Sequence, residues 1–163
     1  MAISKKDIAA NYPLPAYNYR VQIGAESYGF AKVSGLSLKY DTVSYRHGFS
    51  FAEGTHHLLG ILQPVNLSLQ RGVVRQGSLL LAWISTPIQQ DITVNLCDED
   101  GKPQVSWWVQ NALPTAYEAG DFDVNTQEVA IETLSLVSDN MRVTYHQSGQ
   151  TGGAKGNIFS DLF

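Results

Sequence analysis

The stretch Gln63-Pro64-Val65-Asn66-Leu67-Ser68-Leu69-Gln70-Arg71-Gly72, continuing through Val73-Val74-Arg75-Gln76-Gly77-Ser78 into Leu79-Leu80-Leu81-Ala82-Trp83-Ile84, holds two different periods. Val65, Leu67 and Leu69 alternate with Asn66, Ser68 and Gln70, the spacing of a half-buried strand. Arg71-Gly72 ends that run, and Gly72 is read as a position chosen for backbone geometry. After Gly77-Ser78 the spacing changes. Gln76, Leu80, Trp83 and Ile84 recur at three and four, which is helical. Pro87 biases Thr86 out of helical geometry and closes the segment. A helix of about ten residues is unstable alone in water, so this one must pack on other elements. The remainder of the chain reads as strand, and the helix is expected to brace an otherwise all-β domain, with Leu80, Trp83 and Trp107 in the core.

Outward from this stretch, Tyr17, Tyr19, Val21 and Ile23 alternate with polar residues, and Gly24-Ala25-Glu26-Ser27 offers a turn into a strand over 28–33. Leu36, Leu38 and Tyr40 begin another run. Val43 and Tyr45 continue it in the opposite phase, which predicts a bulge near Asp41-Thr42. Residues 47–60 carry glycines at 48, 54 and 60 without a sustained period, a long loop or a loosely paired projecting hairpin. Loops of that length are commonly functional or are ordered by a partner. Ile92 to Leu96 and Val105 to Val109 flank Asp98-Glu99-Asp100-Gly101, the clearest hairpin. An irregular crossing is expected between Asn111 and Asp121. A strand from Val129 to Leu136, with a phase slip near Glu132-Thr133, and a last strand from Met141 to Tyr145 complete the domain. Residues 147–156 are rich in Gly, Ser and Thr and read as a flexible tail, followed by the apolar Ile158, Phe159, Leu162 and Phe163. The expected organisation is one domain over 1–146, opening with an N-terminal arm, and a tail over 147–163.

Composition narrows the function classes. Among 163 residues, 44% are hydrophobic and 16% charged, so much of the surface is neutral or covered by a partner. The net charge of -4 and the lack of a basic stripe argue against sequence-specific nucleic-acid binding. A single cysteine excludes an intrachain disulfide framework. The N-terminal residues have no apolar signal-peptide core, and no apolar run is long enough for a membrane span. Synthesis in the cytoplasm, without membrane insertion, is the expectation.

No nucleophile elbow, phosphate loop or dinucleotide fingerprint is present. Cys97 ends a strand beside an acidic turn and reads as a small residue filling a strand end. His56 and His57 are adjacent, so in an extended chain their rings point to opposite sides, and they lack ligand spacing. Asp121, Asp123, Asn125 and Glu132 imitate the spacing of a calcium loop, but Thr126 stands where that loop needs glycine and no helix flanks it. No catalytic residue, metal or cofactor is expected, and the chain is not read as an enzyme. What remains is surface suited to self-assembly: strands with few charges can pair edge to edge, and ring symmetry closes such contacts.

Three segments carry a family resemblance. They are Val33-Ser34-Gly35-Leu36 with Tyr45-Arg46-His47-Gly48; the run from Asn66 to Gly72 with Leu81-Ala82-Trp83-Ile84; and Asn111-Ala112-Leu113-Pro114 with the run from Glu128 to Leu134. In order and spacing, residues 12–146 resemble the tail-tube proteins of contractile phages and extracellular contractile injection systems. The resemblance implies a mainly β fold, a rolled barrel or sandwich of antiparallel strands with one short packed helix. It also implies hexameric rings of identical subunits that stack into a hollow inner tube. Neighbouring rings, sheath subunits, baseplate hub or spike proteins, and cargo in the lumen are the implied partners. The place of action would be a phage tail or an extracellular injection particle. The assembly contacts expected on this basis are Ile3 and Tyr12 of the arm, with His47, Gly48, Phe49, Phe51, His56, His57, Leu58 and Leu59 of the long loop. Three departures stand out: Leu59-Gly60 where Pro-Gly is usual, an unusually apolar helix, and the extra tail 147–163. They leave two roles open, the main tube subunit or a tube-initiating ring at the hub. The rival from another class is a small-ligand carrier of lipocalin type, which needs a cavity where Leu80 and Trp83 are expected to sit.

Overall fold

The computed structural model describes residues 13–46, 48 and 54–146. The arm 1–12 with Ile3 and Tyr12, the positions His47, Phe49 and Phe51, and the tail 147–163 lie outside the described residues. The strands are β1 (Tyr19–Ile23), β2 (Glu26–Tyr28), β3 (Lys32–Ser34), β4 (Tyr40–Tyr45), β5 (His56–Leu62), β6 (Val65–Gly72), β7 (Gln90–Cys97), β8 (Pro103–Ala119), β9 (Ile131–Ser138) and β10 (Asn140–Tyr145); α1 (Leu79–Ser85) lies between β6 and β7. All strand pairs are antiparallel.

The main sheet runs β2-β1-β7-β8-β9-β6-β3, with β10 also on β8. Its two end strands, β2 and β3, are separated only by Gly29, Phe30 and Ala31. Four virtual bonds reach at most about 14 Å, so the two ends of the path must lie close together. The sheet is therefore rolled, although β2 and β3 share no ladder. The Tyr19 hydroxyl donates to the Phe30 carbonyl at 2.7 Å, and Ala31 N–H donates to the Gln70 carbonyl at 2.8 Å, which ties this corner to both sides of the roll.

Strand β8 makes the other corner. Its first half pairs with β7 and β10, its second half with β9, and β9 and β10 follow each other along it with only Asp139 between them. Opposite that break, Asn111 has φ 50°, in the left-handed region that asparagine tolerates best after glycine. The extra β8 residue here, against β7, is a bulge. Asp91 Oδ1 accepts from Asn111 N–H at 2.9 Å, and Asn111 Nδ2 donates to Asp139 at 3.3 Å. The expected irregular crossing from Asn111 onward is thus corrected: the strand continues to Ala119. Pro114 is tolerated because β7 has already ended at the Gln90–Ala112 pair, so no ladder on that side needs its N–H.

The core between the layers holds Val21, Ile23, Val65, Leu67, Leu69, Ile92, Val94, Val109, Ala112, Leu134, Leu136 and Met141, and α1 adds Leu80 and Trp83. Ser78 caps α1, its side chain accepting from Leu81 N–H at 3.1 Å. Trp83 Nε1 donates to the Ile88 carbonyl at 2.8 Å. Trp107 differs from expectation: it is half-buried and packs against the core rather than within it.

Other sequence expectations also change. The strand over 28–33 is two short strands broken at 29–31. Leu36 and Leu38 precede β4 without pairing in a strand. The bulge near Asp41-Thr42 is present, as a register shift between Tyr40 and Thr42. The slip at Glu132-Thr133 is absent, because β9 pairs with β6 without interruption from Ile131 to Ser138. Instead Glu132 takes an inward position in phase with Leu134 and Leu136, and it is 1% exposed. Arg71, directly opposite on β6, brings Nε to 3.6 Å from Glu132 Oε1, and the Tyr117 hydroxyl donates to Oε2 at 3.0 Å. Burial and the Glu132 hydrogen bond raise the Tyr117 pKa. Gly72 pairs with Ile131, and a Cβ there would meet only ordinary contacts. The glycine that geometry demands is Gly35: its φ is +92°, and a Cβ would fall 1.9 Å from the Asn66 carbonyl oxygen.

Candidate functional site

Strands β4 and β5 form a two-stranded ribbon that shares no ladder with the main sheet. The alternating Tyr40, Val43 and Tyr45 give β4 its strand character. On β5, Gly60 permits the bulge, since a Cβ there would come within 3.0 Å of Asp41 Cβ and its carbonyl. The register places Tyr45 opposite His56, Ser44 opposite His57, Val43 opposite Leu58 and Thr42 opposite Leu59. Opposed residues share a face, so Val43 and Leu58 lie on one side and Leu59 on the other. Ser44 Oγ and His57 Nδ1 are 3.3 Å apart, and Arg46 Nε donates to Thr55 Oγ1 at 2.8 Å.

Every residue of β4 is exposed, as are His56 to Leu59 and Ile61 on β5. Leu59 is 71% and Ile61 76% exposed. An isolated hairpin is marginal in water, and one with apolar residues on both sides gains stability from a covering surface. The physical capacity of this element is therefore association.

Of the residues expected to make contacts, His56, His57, Leu58 and Leu59 are gathered on this ribbon, and Gly48 is exposed near its tip with open space at its Cα. Ile3, Tyr12, His47, Phe49 and Phe51 lie outside the described residues. The sequence reading missed Tyr40, Val43, Tyr45 and Ile61, because alternation announces a strand without saying whether a core lies beneath it. It also missed Phe122 and Val124, both exposed on the loop between β8 and β9. An aromatic between Asp121 and Asp123 was the available signal.

The remaining candidate groups do not converge. Cys97 is buried, its N–H bonded to the Asn18 carbonyl at 2.8 Å. Asp123 closes its own turn by accepting from Asn125 N–H at 2.9 Å, whereas Glu132 points into the core. Among the described residues no group of three His, Cys, Asp or Glu side chains could hold a metal. Nor is any described helix long and apolar enough to cross a membrane. On the side of β7 and β8 away from Val94 and Trp107, Asn95 and Ser106 are buried together: Ser106 Oγ donates to Asn95 Oδ1 at 2.5 Å and lies 2.8 Å from His146 Nε2.

Comparison with solved structures finds this architecture in assembled particles. A chain of the sheath–tube complex of the PVC extracellular contractile injection system, in the extended state, superimposes with a TM-score of 0.80 at 30% identity, covering 89% of this chain and 100% of that one. A chain of the anti-feeding prophage cap, which terminates that tube, gives 0.79 at 32% identity, covering 90% and 100%. A chain of the PVC sheath/tube terminator gives 0.76 at 31% identity, covering 82% and 98%. No curated protein matches the sequence. The family model of the T4-like virus tail tube protein gp19 matches residues 15–142. That span takes in every described strand but the last three residues of β10, and with it both corners of the roll and the projecting ribbon: the chain belongs to the T4-like tail tube protein family.

Proposed function

We propose that this tail tube family member is a ring-forming subunit of the inner tube of a contractile injection system or phage tail. Six copies close a ring and rings stack into a hollow conduit. The observation that carries the reading is the likeness, over 82–90% of this chain, to chains of assembled tube and tube-terminating complexes, at 30–32% identity. The lipocalin-type alternative finds no support there, and Leu80 and Trp83 occupy the space between the layers.

In this reading the subunit works by shape. The ribbon β4–β5, with Val43, His56, His57, Leu58, Leu59 and Ile61, docks on an adjacent subunit, and main-chain pairing at strand edges adds directional hydrogen bonds. Ile3, Tyr12, His47, Gly48, Phe49 and Phe51 complete the same contacts. Sheath and hub proteins bind the assembled ring, cargo travels in the lumen, and the particle acts outside the cell that made it. The chain has no catalytic part in this.

A second reading, the ring that initiates the tube at the hub, is favoured by the Leu59-Gly60 pair, the apolar helix and residues 147–163. Electron microscopy of the purified chain over a range of concentrations, with mass in solution, tests both. Long hollow tubes establish the repeating subunit. Discrete rings, or assembly only on a hub protein, establish the initiator. A monomer at every concentration, indifferent to hub and tube proteins, refutes both.

A further inference from the structure

The face of β1, β7 and β8 that turns into the barrel carries two cross-strand rows, which β10 continues with the exposed Val143 and Tyr145. Tyr19, Leu96, Val105 and Tyr145 form one, and Val21, Val94, Trp107 and Val143 the next. Where these rows face β3, the layers separate and leave an open groove of about 330 Å3. Leu14, Tyr19, Val33, Leu36, Leu96 and Trp107 line it, and among the described residues Lys32 is its one charged lining residue. The groove opens beside β3, whose edge away from β6 pairs with no strand among the described residues.

We propose that this groove docks the segment Ile158-Phe159-Ser160-Asp161-Leu162-Phe163 of the same subunit. The described chain leaves β10 on the first of the two rows, at Tyr145. His146 is fixed beside it, its N–H donating to the Gln104 carbonyl at 2.8 Å. From β10 across β8 to β7 is two strand spacings, about 10 Å. Residues 147–157 are rich in Gly, Ser and Thr, and a chain of that kind and length has a root-mean-square span of about 18 Å. The segment is thus long enough to reach its own groove, and an intramolecular reach of this kind corresponds to a millimolar effective concentration.

Its side chains suit the place. Ile158, Phe159, Leu162 and Phe163 are spaced one, three and four apart, a spacing that a helical turn would gather on one face. Ser160 and Asp161 would then take the other, and Asp161 has the sign opposite to Lys32. The arm before Leu14 is the rival occupant, since Leu14 borders the groove. That arm carries Lys5 and Lys6 against one acid, Asp7, so its net charge has the same sign as Lys32.

The test uses the full chain, dilute enough to be a single subunit, so its result does not depend on ring assembly. Cysteines are placed at the groove rim and in each rival, as Lys32→Cys with Ser160→Cys and Lys32→Cys with Ser4→Cys. Native Cys97 is buried. The expected result is an intrachain 32–160 disulfide forming about tenfold faster, or more, than the 32–4 disulfide. Faster 32–4 closure, interchain closure or no closure of the 32–160 pair overturns the proposal. Independently, Phe159→Ser with Phe163→Ser should red-shift tryptophan emission, and the shift should vanish in a Trp107→Phe background. Unchanged emission also overturns it.

Discussion

Removing Arg71 while leaving Glu132 in place should be among the most damaging single changes to this fold. Glu132 is 1% exposed on the inward side of β9, and Oε1 has no hydrogen-bond partner; the Arg71 guanidinium 3.6 Å away is its compensating charge. The Arg71 side chain is only 19% exposed, so the pair is poorly screened by solvent. Breaking a buried ion pair from one side costs about 3–5 kcal/mol, because a charge is left without compensation. Arg71→Met keeps the length and apolar stem of the side chain and should lose that amount. Glu132→Gln keeps the acceptor for the Tyr117 hydroxyl and removes the charge, and should cost only about 1–2 kcal/mol. The double variant should then be more stable than Arg71→Met alone, by about 1–3 kcal/mol on the same principles. Guanidinium unfolding followed by tryptophan emission, at concentrations where the chain is a single subunit, gives all three values. A double variant as unstable as the sum of the two singles would refute the reasoning, because it would show that the two side chains act independently.

Gly35→Ala should destabilise by at least about 2–4 kcal/mol, combining a positive φ with a Cβ 1.9 Å from a carbonyl oxygen; a melting temperature equal to the parent's would show that the loop simply moves. Trp83→Ala should cost about 3–5 kcal/mol and reduce soluble yield, and normal melting would place α1 outside the core. Folding stability should be independent of the tyrosines below about pH 10 and fall as pH rises beyond it. The sign follows because Tyr117 and Tyr19 by burial, and Tyr28 chiefly through its bond to Glu26, have folded pKa values above 10.0, so the unfolded chain ionises first. Tyr117→Phe should flatten that alkaline loss. Leu58→Ser with Leu59→Ser should leave the melting curve unchanged and abolish rings or tubes in the microscope; intact assembly would remove the ribbon from the interface.

The stretches that were legible in the sequence are those whose inward side chains are apolar. Val65, Leu67 and Leu69 announce β6, and Leu80 with Trp83 announces the buried side of α1. Where an inward position holds a charge, periodicity misleads: Glu132 reads as a phase slip, although the ladder beneath it is unbroken. Asn111-Ala112-Leu113-Pro114 reads as an irregular crossing because proline and asparagine are poor strand residues. Only the topology shows that both stand where a strand changes layers. Alternation in Val43 and Tyr45 correctly gives a strand but carries no information on whether a second layer covers it. The histidine and leucine pairs of β5 were legible as a surface element, and Phe122 and Val124 were not, since a loop has no period against which an apolar residue stands out.

The sharing of β8 between layers has a mechanical side. In a sandwich of separate sheets, a sideways load is resisted by side-chain packing, which yields by repacking. Here β8 runs on through the corner at Asn111, and β9 and β10 shadow it on the far side of Asp139. Sliding one layer across the other would have to draw a covalent strand through its own ladder, shearing many backbone hydrogen bonds at once. In the tube role proposed above, a subunit loaded lengthwise within a sheath would benefit from that stiffness.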